Sequence, residues 1–128
     1  MAFTFATLAA PVGTNGTGTP QDDPITGIFT TSATTDASSA AGTISVPFKP
    51  RLITVIDQTN VNRYEWVDGM TNAYAFKTVT AGTFTLLAAN GITVAATANA
   101  TAGSGPWDVT LGTGLHTNSS TYRLIFYK

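Results

Sequence analysis

The sequence contains no cysteine, which excludes a disulfide framework, a thiolate zinc site and a cysteine nucleophile together. Charge is the second scarcity. Only 10% of residues are charged, against about 25% in an ordinary globular domain, and the formal net charge is −1. A near-neutral chain lacks the basic footprint that nucleic acid or an anionic membrane surface requires. The first cationic side chain is Lys49, so the N-terminal stretch has no basic n-region, and a secreted origin is not expected. No apolar run approaches the ~20 residues of a membrane-spanning helix, and no integral membrane protein is expected. Histidine is nearly absent, and helical periodicity is weak throughout.

Threonine has taken the place of charge, at about a fifth of the chain. It is β-branched, stiff at χ1, and keeps the solvent face of a strand wet without ionising. Weak charge also removes the repulsion that keeps free proteins apart. Such an exterior suits a protein docked in an assembly, and equally a Thr-rich extracellular β-domain.

Length is consistent with one domain able to bury its own core without a metal. Residues 1–24 read as an extended N-terminal arm and 25–128 as a single β-domain. Pro11 to Pro20 is dense in Gly, Thr and Pro and resists packing into an element. Ahead of it stand Phe3 and Phe5, two rings at strand spacing. They either fold back onto the domain's own core or add a strand to a neighbour's sheet edge. Phe3, Phe5, Leu8 and Trp107 are the candidate subunit or capsid contacts.

Residues 32–42 are small and polar and read as a surface loop. From Thr43 the strand signals become continuous. Ile44, Val46 and Phe48 alternate with Thr43 and Ser45, and Pro47 places this strand at a sheet edge or a bulge. Arg51 to Asp57 is apolar on both faces, the pattern of a central, doubly covered strand. Further strands follow at Arg63–Val67, Tyr74–Val79 and Thr83–Leu87, the last with Phe84 and Leu86 turned inward. Asn90-Gly91 is a strong type I′ hairpin signal, after which Ile92, Val94 and Ala96 alternate. Trp107–Leu111 and Thr121–Tyr127 close the chain, with Tyr122, Leu124 and Phe126 facing the core. This pattern predicts an all-β fold, an antiparallel β-sandwich or small barrel, with an up-and-down meander over Arg51–Thr97.

Catalytic chemistry finds little footing. His116 is the single imidazole, a Gly-x-Ser-x-Gly elbow is missing, and the nearest acid in sequence is Asp108. Glu65 and Asp68 flank Trp66, but strand geometry turns Glu65 to the face of Arg63, an ion-pair partner, as is Lys77. Asp22-Asp23 lacks the spacing of a calcium loop. Sequons at Asn15, Asn99 and Asn118 are what this threonine content yields by chance. No enzyme, metal, cofactor or small-molecule substrate is expected.

Pro50-Arg51-Leu52-Ile53-Thr54-Val55-Ile56-Asp57, then Tyr64-Glu65-Trp66-Val67-Asp68-Gly69-Met70, Ala75 to Thr83 and Gly91 to Val94, resembles small structural proteins of tailed-bacteriophage virions. The aromatic strand Tyr122-Arg123-Leu124-Ile125-Phe126-Tyr127 after a short polar loop fits the same pattern. The likeness spans residues 46–96 and the last strand; the arm at residues 1–42 is not part of it. What the resemblance implies is a head-decoration or cement protein, made in the host cytoplasm and carried on the capsid surface. Its partners would be the major capsid protein and copies of itself, as a homotrimer. A second reading is a tail-associated or carbohydrate-binding β-module, with Tyr64, Trp66 or Trp107 as a sugar platform.

Overall fold

The structure, a computed structural model, describes residues 3–5, 27–96 and 106–128. Among the described residues nine strands are formed: β1 (Phe3–Phe5), β2 (Ile28–Thr35), β3 (Gly42–Val46), β4 (Leu52–Asp57), β5 (Asn62–Val67), β6 (Tyr74–Thr78), β7 (Phe84–Ala96), β8 (Trp107–Leu111) and β9 (Thr121–Tyr127). The one helical piece among the described residues is a 3-10 turn at Thr113–Leu115.

All nine strands belong to one antiparallel sheet in the order β1-β2-β9-β4-β5-β6-β7-β8-β3. The consecutive run β4-β5-β6-β7 is the meander that the sequence predicts. The sheet curls until its edges, β1 and β3, approach each other and nearly close a barrel. Gly42 permits that approach. A Cβ there would lie 2.7 Å from Cβ of Phe3, closer than two carbons can sit, so a larger residue would push the seam apart.

Strand alternation sends one set of side chains into the barrel. Ile53 and Val55 of β4, Tyr64 and Trp66 of β5, and Tyr122, Leu124 and Phe126 of β9 are buried there. Ile44, Val46 and Phe48 join them, as their spacing requires. β4 lies between β9 and β5 and is central, and β3, which stops just before Pro47, is an edge strand. A proline without an N–H costs nothing there.

Three sequence expectations fail. Ser32 to Thr35 is strand, not loop. Ser32–Thr34 pair with Thr121–Arg123 of β9, and Ala33 enters the core; small polar residues resemble a loop until a partner strand claims them. Asn90-Gly91 does not make a hairpin. β7 runs straight through it, and the pairing of β6 jumps from Tyr74 opposite Ile92 to Ala75 opposite Leu87. Asn90 takes φ 58°, but Gly91 is demanded by crowding: a Cβ would lie 2.6 Å from the Tyr74 carbonyl carbon. The left-handed residue thus serves a bulge within a strand instead of a reversal. Finally, Phe84 and Leu86 point outward and are 62% and 49% exposed. Their alternation is present, but β6 fixes the opposite phase through Thr78 and Phe76.

Candidate contact surface

Of the residues singled out as contacts, Phe3 is fully buried in the domain's own core. Its ring meets Tyr122 edge-on at 5.4 Å and His116 at 5.7 Å, and stacks on Phe5 at 6.3 Å. Phe5 is half-buried against the same cluster. Of the two readings of this pair, the structure takes the fold-back one: β1 adds to β2 of its own chain. Leu8 and the rest of the arm, the sequons at Asn15 and Asn99, and Asp22-Asp23 lie outside the described residues. Trp107 is half-buried, packs against the core, and carries the Lys49 ammonium 5.4 Å from its ring centre.

The aromatic candidates for a sugar platform are, Trp107 apart, not surface residues. Tyr64 and Trp66 sit inside the barrel, 1% and 3% exposed. Burial pushes the Tyr64 phenol up to about 12, with Tyr122 and Asp57 adding to the effect against a hydrogen bond with Asn62. Tyr122 is also raised, first by burial and then by Asp57, against hydrogen bonds with Thr117 and Ser120. Both phenols therefore stay neutral at physiological pH. The Tyr122 hydroxyl donates to the Leu115 carbonyl at 2.8 Å and accepts from the Thr117 N–H at 2.9 Å, which ties the segment before β9 to its second residue.

Polar groups converge at the same end of the barrel and tie its strands together. The buried Asp57 carboxylate accepts from the N–H groups of Thr59 and Asn60, both at 3.0 Å, and from the Asn60 amide at 2.9 Å. That amide also donates to Ser120 Oγ at 2.8 Å. Ser120 N–H donates to Thr35 Oγ1 at 3.0 Å, and the Thr35 hydroxyl donates to the Thr117 carbonyl. One carboxylate thus caps the β4–β5 turn and links it to β2 and β9.

No metal-ligand cluster is found among the described residues. Glu65 pairs with Arg63 at 3.2 Å, as its strand position predicts, and Asp68 pairs with Lys49 at 3.3 Å. His116 packs on Phe3, and its Nε2 has no hydrogen-bond partner among the described residues. No helix among the described residues is long and apolar enough to cross a membrane.

The outside of the sheet departs from the ordinary pattern. Register aligns its outward residues in three rows. The first runs Ile28, Tyr127, Leu52, Val67 across β2, β9, β4 and β5. The second runs Thr30, Ile125, Thr54, Glu65, Phe76, Leu86, reaching β7. The third runs Ser32, Arg123, Ile56, Arg63, Thr78, Phe84 along the same strands. Apolar side chains fill the whole first row, half of the second and two positions of the third, and the Arg63–Glu65 pair neutralises two of the three charges. Ile28, Val67, Leu86 and Phe84 are the exposed ones, while Leu52, Ile56, Phe76, Ile125 and Tyr127 are partly covered. An outward sheet face on a free domain is ordinarily polar, and a contiguous apolar one marks a contact site.

Sequence reasoning misses this face because the double apolar pattern of β4 reads as burial on both sides. In a barrel only one side is interior. The signal is present in Leu52 and Ile56; its meaning depends on the curvature of the sheet. No family model, curated protein or solved structure matches the chain.

Proposed function

We propose that this chain is a non-enzymatic structural protein that acts by docking its outer apolar face onto a larger assembly, and that the assembly is a phage capsid. The observation that carries the reading is the wholly apolar row Ile28–Tyr127–Leu52–Val67. The sequence likeness to virion proteins points to the capsid as the partner and decoration as the role, and the low charge fits a protein docked in an assembly.

Magnitudes favour a lattice over a single soluble partner. Covering what remains exposed of Ile28 and Val67 is worth about 1 kcal/mol each. Their sum lies below the roughly 4–15 kcal/mol that association costs in lost freedom. One such contact is weak, and it is multiplied by effective concentration when linked copies of the chain engage a repeating surface together. A protein built this way binds completed lattices and ignores free capsid subunits.

The test is co-sedimentation of the purified chain with expanded capsids of the phage whose genome encodes it. Saturable binding, lost in Val67→Lys and Ile28→Lys variants that keep their fold, is expected. Absence of binding, or binding indifferent to both substitutions, overturns the proposal. The carbohydrate-binding alternative gains nothing from the structure, since Tyr64 and Trp66 are interior and the Trp107 ring carries Lys49.

A further inference from the structure

β7 is long, and its first half is paired on one side. β6 pairs with Phe84–Leu87 there, while β8 pairs only with Ile92–Ala96 on the other side. The 3-10 turn abuts Asn90: a Cβ on Gly112 would lie 2.3 Å from the Asn90 oxygen, and one on Gly114 2.8 Å from it. That leaves Phe84 to Ala88 with no strand along its second edge among the described residues. Alternate backbone N–H and C=O groups of this stretch point away from β6. Phe84, Thr85, Leu86 and Ala88 are exposed, and Leu87 is partly so.

Natural proteins guard such edges with lysine, proline, a bulge or a short strand. None of these protects Phe84–Ala88. No charged residue occurs between Lys77 and Asp108, and no proline between Pro50 and Pro106. The β7 bulge lies between Leu87 and Ile92 and so reaches only the last residue of the open stretch, Ala88. An unguarded apolar edge is either a hazard or an interface.

We infer that this edge is an interface between two copies of this chain, which pair antiparallel through Phe84–Ala88 and join their sheets. Three features fit a second copy. Two identical edges related by a two-fold axis pair antiparallel without any register conflict. With the axis at Leu86, that residue faces itself, Thr85 faces Leu87, and Phe84 of each copy faces Ala88 of the other, so a large ring meets a methyl group. The edge is also free of charge, so close approach of two copies brings no like charges together. The Phe84 ring is already held, stacked on Phe76 at 5.0 Å, so little side-chain freedom is lost on pairing. A shared edge joins two chains and no more, which gives a two-fold contact in place of the three-fold one that the resemblance implies. This contact lies on a different element from the Ile28–Val67 row and stands whether or not the capsid reading holds.

Sedimentation velocity of the full chain over a concentration series tests it. The mass is expected to rise to twice 13.3 kDa at high micromolar concentration. Leu86→Lys should weaken dimerisation by at least about tenfold with an unchanged far-UV spectrum, while Val67→Lys should dimerise like the parent. Hydrogen exchange on the unsubstituted chain supplies the second reading, with amides of residues 84–88 gaining protection as concentration rises. A chain that stays monomeric, assembles as a trimer, dimerises equally well after Leu86→Lys, or shows concentration-independent exchange there overturns the inference. Val67→Lys protein that dimerises but leaves capsids would separate the two surfaces.

Discussion

Phe3 offers a sharp test of how the N-terminal segment is used. Its side chain is fully buried, surrounded by Phe5, His116, Tyr122 and the bare backbone of Gly42. Truncating a buried phenylalanine to alanine costs about 3–5 kcal/mol, from lost transfer free energy and the cavity left behind. The upper part of that range applies when the surroundings cannot collapse. Here β1 is a three-residue edge strand, and detaching it gives the domain an escape that caps the loss. Phe3→Ala should therefore destabilise by about 3 kcal/mol, and melt about 10 °C lower for a domain of this size. Phe5→Ala, half-exposed and at the strand end, should cost about 1 kcal/mol. Urea unfolding followed by Trp fluorescence measures both. A Phe3→Ala loss below about 1 kcal/mol would mean that the ring adds nothing to the core, and the segment would then be free to reach a neighbour.

Asp57→Ala removes the acceptor of three hydrogen bonds and frees the β4–β5 turn; a loss of about 3 kcal/mol in urea unfolding is expected, with Asp57→Asn losing less because one oxygen is kept. Alkaline titration should show Tyr64 ionising late, with a folded pKa of about 12 against 10.0 when free. The raised value means that the folded chain holds this proton more tightly than the unfolded one. Its contribution is therefore complete below pH 10 and is lost as pH rises through 12, by roughly 2–3 kcal/mol. Phenolate absorbance followed against pH, alongside unfolding at each pH, checks it; all four tyrosines titrating together near 10 would refute the burial of this ring.

The fold was legible wherever alternation and turn chemistry agreed. β3, β4 and β9 follow from Ile44-x-Val46-x-Phe48, from the dense β-branched run at Leu52–Ile56, and from Tyr122-x-Leu124-x-Phe126, because period-2 patterns fix both the element and its inner face. The expectation failed where local preference was overruled by a distant partner. Asn90-Gly91 favours a reversal in isolation, yet Ile92–Ala96 is held by β8 and Tyr74 by Ile92, so the pair becomes a bulge. Phe84 and Leu86 alternate as well as any core pair, and nothing local says which phase faces inward; β6 decides it through Thr78 and Phe76. A three-residue strand such as β1 carries too little pattern to be distinguished from an arm.

The contact surface was the least legible part, for a reason of the same kind. Sequence shows that β4 is apolar on both sides, and two architectures accommodate that: a layer covered above and below, or a barrel wall with a partner outside. Only the curl of the sheet separates them. Once Ile53 and Val55 are seen to fill the interior, Leu52 and Ile56 must face whatever lies beyond the wall. The charge-free stretch from Thr78 to Trp107 has the same ambiguity. It would be unremarked in a buried strand, but on an open edge it removes one of the protections that a solitary domain uses. Apolar character in excess of what the interior can hold is thus the common thread, and both proposed contacts rest on it: each assigns a partner to side chains that the barrel itself leaves uncovered.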